Sequence, residues 1–285
     1  MLDHPAIIAV AIPMAIAVVV AAIVRSLGHQ GAAPHVLSLG GLAGFLAAYI
    51  MLVGWPDGLP RTATQKLGYI ALAGIVAGIV LDILRRPMRP ARLVFLLPVA
   101  AVLWIIVPRM LRYVGDDGRG VADWAPLLIA VVLAVAVLWR LTKPEGELRD
   151  GRLAQLIAAS FGLGGVCILG SAASLGLLAF AVGAVGAGIA IWSLGRLRVA
   201  ASAGLVLALG AVFSGLAVQA GLFSRAEPVS LLILLLCFGT DLVPALRPMA
   251  TPEKGFRIVA SAAPYVLAAI AVGLAVMVGG GDDPY

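Results

Sequence analysis

The sequence predicts an all-α, polytopic integral membrane protein, about ten transmembrane helices with short loops forming one bundle over residues 1–285. Three observations predict it. Apolar residues make up 62% of the chain and charged residues only 12%, about half the charge of an ordinary globular protein. So little charge cannot cover a soluble surface, whereas lipid solvates apolar side chains directly. Mean hydropathy is +1.09, which excludes disorder because disordered segments are polar. Finally, the apolar residues come in runs of bilayer length. A helix rises 1.5 Å per residue and the hydrocarbon core is about 30 Å thick, so one crossing takes about 20 residues.

Ten runs qualify or nearly do. Ala6–Val24 is the first. Its leader, Met1-Leu2-Asp3-His4-Pro5, lacks the basic region of a signal peptide, so it reads as a retained helix. Val36–Val53 and Leu67–Leu84 follow, separated by the loop Gly54–Lys66. Leu93–Val107 is short and carries Pro98, with Pro108 just beyond, so a kinked or re-entrant path competes with a full crossing. Extending it to Val114, with Arg109 and Arg112 snorkelling to the headgroups, gives adequate length. Ala125–Leu141 is the fifth run. Leu153–Leu194 contains 42 residues without a charge, enough for two spans. The small and hydroxyl residues of Gly170-Ser171-Ala172-Ala173-Ser174 divide it into Leu153–Gly170 and Ser174–Leu194. Val199–Leu222, Pro228–Leu246 and Phe256–Val278 complete the set.

Charge placement orients the bundle. With ten spans, one side holds six of the 20 basic residues (Arg61, Lys66, Arg109, Arg112, Arg119, Arg225) and the other holds fourteen. If Leu93–Val107 did not cross, everything after it would flip and the split would level to nine against eleven. The positive-inside rule therefore favours ten crossings, a bacterial inner-membrane location and both termini outside the cytoplasm. Trp55, Tyr69, Tyr113 and Trp124 then fall at the outer interface and Trp139 and Trp192 at the inner one, as in an aromatic belt.

Small residues account for the helix packing. Lipid supplies no hydrophobic drive between helices, so close association depends on residues that let backbones approach. Gly40-x-x-x-Gly44, Gly74-x-x-x-Gly78, Ala179-x-x-x-Gly183 and Ala211-x-x-x-Gly215 each put two on one helix face. Packing within one bundle is the simpler reading, and a homodimer or a contact with another membrane protein the sharper one. An Asp-containing match between the third and ninth runs is too irregular to support an internal repeat.

The candidate chemistry is sparse. His4, His29 and His35 precede the second run, so buried haem ligation and a histidine relay lack their usual residue. No Cys/His/carboxylate spacing suggests a metal, no cofactor is implied, and Cys167 and Cys237 lie in apolar runs where a disulfide framework is not expected. Polarity within the runs comes mostly from hydroxyls such as Ser160, Ser202, Ser214 and Thr240, with Gln155 and Gln219 near span ends, and hydroxyls can bond back to helix carbonyls. Asp82 lies one turn before Arg85 and Arg86, the spacing of an interfacial ion pair. Asp241 is different: six residues before Arg247, it lies about 9 Å inside by helical rise, where an ionisable group needs a partner or a wet cavity. Asp241, and secondarily Asp82, are thus the candidate coupling or substrate residues. Arg85, Arg86, Arg89 and Arg92 suit anionic lipid headgroups, and the pI of 9.8 reflects topology rather than nucleic-acid binding.

Size and helix count are similar to the drug/metabolite transporter superfamily. Its members usually keep both termini in the cytoplasm, the reverse of the orientation predicted here. A small-solute secondary transporter is the first functional reading, and a non-catalytic subunit or assembly factor of a larger membrane complex the alternative. A lipid-modifying enzyme using Asp116, Asp117 or Asp123 ranks last, because no nucleophile–base arrangement is visible.

Overall fold

The computed structural model describes residues 4–26, 33–56, 58–84, 149–193, 202–223, 228–240 and 254–279, with scattered helical residues between 96 and 138. Every regular element among them is helical. The α-helices are α1 (Ile12–Ser26), α2 (Ala33–Leu52), α3 (Ala63–Leu84), α4 (Arg149–Leu169), α5 (Ala173–Ser193), α6 (Ala203–Phe223), α7 (Pro228–Leu236) and α8 (Lys254–Gly279). Five stretches are long and apolar enough to cross a membrane: Ile7–Val24, Ala63–Val80, Gly151–Leu169, Ala173–Trp192 and Gly204–Leu222. Ser38–Leu52, Pro228–Gly239 and Ala262–Val278 are shorter apolar helices. The predicted runs 93–107 and 125–141 lie largely outside the described residues.

Local chemistry sets the ends of these helices. A π-helical turn, Ile7–Ala11, leads into α1, with the Ile12 N–H reaching Ile7 O. Pro13, lacking an N–H, cannot make the normal α bond at the junction. Gly54, at φ +82°, follows the end of α2 in the left-handed region that glycine tolerates. Thr62 and Gln65 form a reciprocal capping box at the start of α3: the Gln65 N–H donates to Thr62 Oγ1 at 3.2 Å and the Thr62 N–H to Gln65 Oε1 at 3.2 Å. Ser202 caps α6, accepting the Leu205 N–H at 3.0 Å, so this helix begins four residues later than the sequence suggests. The expected turn at 170–174 is present. The Ala172 N–H donates to Cys167 O at 2.8 Å and the Ser171 N–H to Ile168 O at 3.3 Å, a Schellman pattern with Ser171 at φ +62°.

Helix directions follow from which residues meet. Gly78 lies against Gly204 and Gly74 against Ala208, while Gln219 Nε2 donates to Ala63 O at 2.8 Å, so α3 and α6 are antiparallel. Ser38 and Ser202 share a 2.8 Å hydrogen bond and Gly41 packs on Leu205, so α2 and α6 are parallel. Gly41 also meets Ile189 and Gly44 meets Val185, which makes α5 antiparallel to α2. The α4–α5 hairpin is antiparallel, with Gly164 beside Gly176 and Gly186 beside Ile157. Gly162 and Gly165 of α4 meet Ala268 and Val272, so α8 runs parallel to α4. Strict alternation therefore holds along α2, α3, then α4 to α6. Residue 84 and residue 149 lie at the same end of the bundle, the end marked by Ser202.

The core is continuous through α2, α4, α5 and α6. Within Gly204–Leu222 of α6, 83% of residues are buried. The periphery is the reverse. Val19 is 55% exposed, Val76 53% and Met277 79%, and Val266 and Ile270 of α8 are exposed too. Apolar faces of this extent are tolerated against hydrocarbon and not against water. All four small-residue pairs are buried inside the bundle: Gly40 and Gly44 face Val20 and Pro13 of α1, and Gly74 and Gly78 face α6. The backbone approaches expected for small residues are made within one chain.

Candidate functional site

The most polar part of the buried interior is the junction of α4, α6 and α7. Helix α7 is brief because its α-helical bonding stops at Leu236 and a 3₁₀ turn, Cys237–Gly239, takes over. Thr240 follows, its N–H reaching only to Cys237 O at 3.5 Å. Its hydroxyl donates back to Cys237 O at 2.9 Å and accepts Gln155 Nε2 of α4 at 3.1 Å. The Cys237 thiol turns toward Pro264 O of α8 at 3.3 Å. Arg152, one turn before Gln155 on α4, is also buried, and the Phe213 and Phe238 rings pack 5.3 Å apart between α6 and the turn.

Deeper in, the polar groups lose their partners. Ser160 of α4, Ser214 of α6 and Ser230 of α7 are buried, and their hydroxyls make no hydrogen bond among the described residues. By helical rise Ser160 and Ser214 each lie about 16 Å from the start of their parallel helices. Ser230 lies further toward the other end, because α7 runs antiparallel to α4, Gly162 meeting Leu234. The three helices that meet here thus carry polar groups at successive depths. A buried hydroxyl left unpaired costs about 1–3 kcal/mol, and the large majority of buried side-chain polar atoms in folded proteins are paired.

Of the residues singled out from the sequence, Asp241 lies outside the described residues, next in the chain after Thr240. Asp82 falls in the last turn of α3, and its side chain lies outside the description. Arg85, Arg86, Arg89 and Arg92 lie outside the described residues, in the segment that leaves α3 at the Ser202 end. The sequence shows Gln155 near a span end and Ser160, Ser214 and Thr240 as hydroxyls able to bond back to their own helix, none of them needing a functional role. Thr240 does bond back to the helix; Ser160 and Ser214 do not. Among the described residues no group of three His, Cys, Asp or Glu side chains could hold a metal.

A second polar cluster went unnoticed in the sequence because Lys66 reads as a loop residue. The Thr62-x-x-Gln65 capping signature is the sign that places it inside α3. No family model matches this chain, and no curated protein does.

Proposed function

We propose that this chain is a ten-span inner-membrane permease that moves a small solute along the α4–α6–α7 junction, with Asp241 as its coupling or substrate group and both termini outside the cytoplasm. The observation that carries the reading is the set of unpaired buried hydroxyls, Ser160, Ser214 and Ser230, on three helices that meet beside the 3₁₀ turn at the end of α7. Polar groups between helices near the bilayer midplane are a usual part of a solute site in secondary transporters. A purely structural bundle gains nothing from orphan hydroxyls.

This makes a testable trade. Replacing Ser160 and Ser214 with alanine should raise the unfolding midpoint in detergent, since each change removes a desolvation cost of about 1 kcal/mol or more. The same double variant should slow uptake into proteoliposomes screened with amino acids, sugars, nucleosides and organic cations. Higher stability with no flux for any solute, in wild type or variant, would leave the permease reading without support.

The alternative, a non-catalytic subunit of a larger complex, draws on the tight α3–α6 contact, where glycine meets glycine through backbone atoms. Stoichiometric copurifying partners, with no flux, would favour it. Orientation is tested separately: alkaline phosphatase fused after Tyr285 should be active, and a fluorescent protein there should be dark. The opposite pattern would overturn the placement of the termini.

A further inference from the structure

The start of α3 gathers positive charge inside an aromatic wall. Lys66 is only 8% exposed. Its ammonium donates to Trp104 O at 2.9 Å and sits 4.9 Å above the Trp104 ring. Tyr69 meets the Trp104 ring edge-on at 6.1 Å, and Trp55 lies 5.7 Å from Tyr69. An ammonium has three N–H donors, and one carbonyl and one ring face are weak replacement for its water shell.

The placement is also wrong for a simple helix. Lys66 lies in the first turn of α3, where the backbone dipole is already positive and a cation is disfavoured. Arg61, exposed just before the helix, adds a second positive charge. Below this end, Leu72, Val76 and Val80 of α3 and Leu103 are exposed apolar residues, and the three on α3 recur at helical spacing. Charge is concentrated at one end of a greasy track.

We propose that this is a binding site for an anionic phospholipid, the phosphate held by Lys66 and Arg61 and an acyl chain lying along Leu72 and Val76. The inference rests on the membrane-embedded reading of the chain and is independent of whether it transports anything. It also differs from the headgroup contacts expected of Arg85, Arg86, Arg89 and Arg92, which leave α3 at the opposite end of the bundle.

The test uses the full chain in vesicles of phosphatidylcholine containing a small fraction of brominated phosphatidylglycerol or brominated phosphatidylcholine, with Trp104 kept as the only tryptophan. One surface-level cation contributes about a five-fold preference for an anionic lipid. Quenching of Trp104 should therefore favour the brominated phosphatidylglycerol by about five-fold or more. Lys66→Met should reduce the preference, Lys66→Met with Arg61→Gln should abolish it, and Lys66→Arg should keep it. Equal quenching by both lipids, or a preference undiminished in Lys66→Met, would overturn the site. Glycerol 3-phosphate added to the buffer should leave the quenching unchanged; if it relieved the quenching, the anion would be a free phosphate and the lipid assignment would fall. Should the single-tryptophan chain not fold, the phosphatidylglycerol-dependent rise in melting temperature of the otherwise wild-type chain, reduced in Lys66→Met and lost in Lys66→Met with Arg61→Gln, gives the same decision.

Discussion

Gly78→Leu is expected to abolish folding of the bundle, and Gly78→Ala to lower its unfolding midpoint. A Cβ at position 78 would lie 2.6 Å from the carbonyl oxygen of Gly204, 3.0 Å from its carbonyl carbon and 3.2 Å from its Cα. These are backbone atoms, so no rotamer change relieves the contact; the two helices must separate. Separation would break more than one contact, because Gly74 touches Ala208 only one turn away and Gln219 holds Ala63 at the far end. Overpacking a close-packed core costs about 1–3 kcal/mol. Against this, alanine gains about 1 kcal/mol over glycine in a helix interior, so Gly78→Ala is a net loss and leucine exceeds what the interface can absorb. Gly273 of α8 is the matched control, since a Cβ there meets nothing within 4 Å. Gly273→Ala should be neutral or stabilising. Thermal unfolding of the three variants in one detergent decides the matter. A Gly78→Ala midpoint at or above that of Gly273→Ala would mean that α3 and α6 do not pack as described.

The positions of the described helices were legible in the sequence because a helix able to cross hydrocarbon follows one simple rule, a run of apolar residues of fixed length. Both turns and glycine spacing carried information too. The break at Gly170–Ala172 follows from small residues in an uncharged stretch, and the Gly74/Gly78 pair identifies a tight face without saying which helix meets it. The partner, Gly204 with Ala208, has the same spacing, but an alanine-rich chain offers many such pairs. What meets what is a matter of three-dimensional register, which periodicity does not encode.

The polar interior was harder to read for a related reason. A hydroxyl on a buried helix has two fates, bonding to its own backbone or facing another helix, and the sequence is identical in both cases. Thr240 takes both, donating to Cys237 O while accepting from Gln155. The end of α7 at Leu236 was equally hidden. The apolar run continues past it, and only the change from α to 3₁₀ bonding marks the end. Lys66 illustrates the opposite error. Charge suggested a loop, whereas the Thr62–Gln65 capping box draws the lysine into the first turn of α3 and against Trp104.

The permease reading meets its sharpest test at Asp241. Asp241→Asn should leave the chain folded and inserted yet remove accumulation of solute against a gradient. Asparagine keeps the shape and most of the hydrogen-bonding capacity of aspartate, but it cannot ionise. An ionisable side chain within a membrane span costs about 2.5–3.5 kcal/mol near the helix centre, so its neutral counterpart should not weaken the fold and should modestly strengthen it. Loss of transport with preserved stability would then belong to the charge alone. Thr240, the preceding residue in the chain, is buried against Gln155 at the α4–α7 contact. Asp82 supplies the comparison. One turn before Arg85 and Arg86, it has the spacing of an interfacial ion pair, and Asp82→Asn should cost no more than about 1 kcal/mol of stability and leave uptake unchanged. Proteoliposomes with an imposed proton gradient measure both variants side by side. If Asp241→Asn accumulated solute as well as wild type, the carboxylate would have no part in coupling; if Asp82→Asn alone failed, the coupling group would lie on α3 instead.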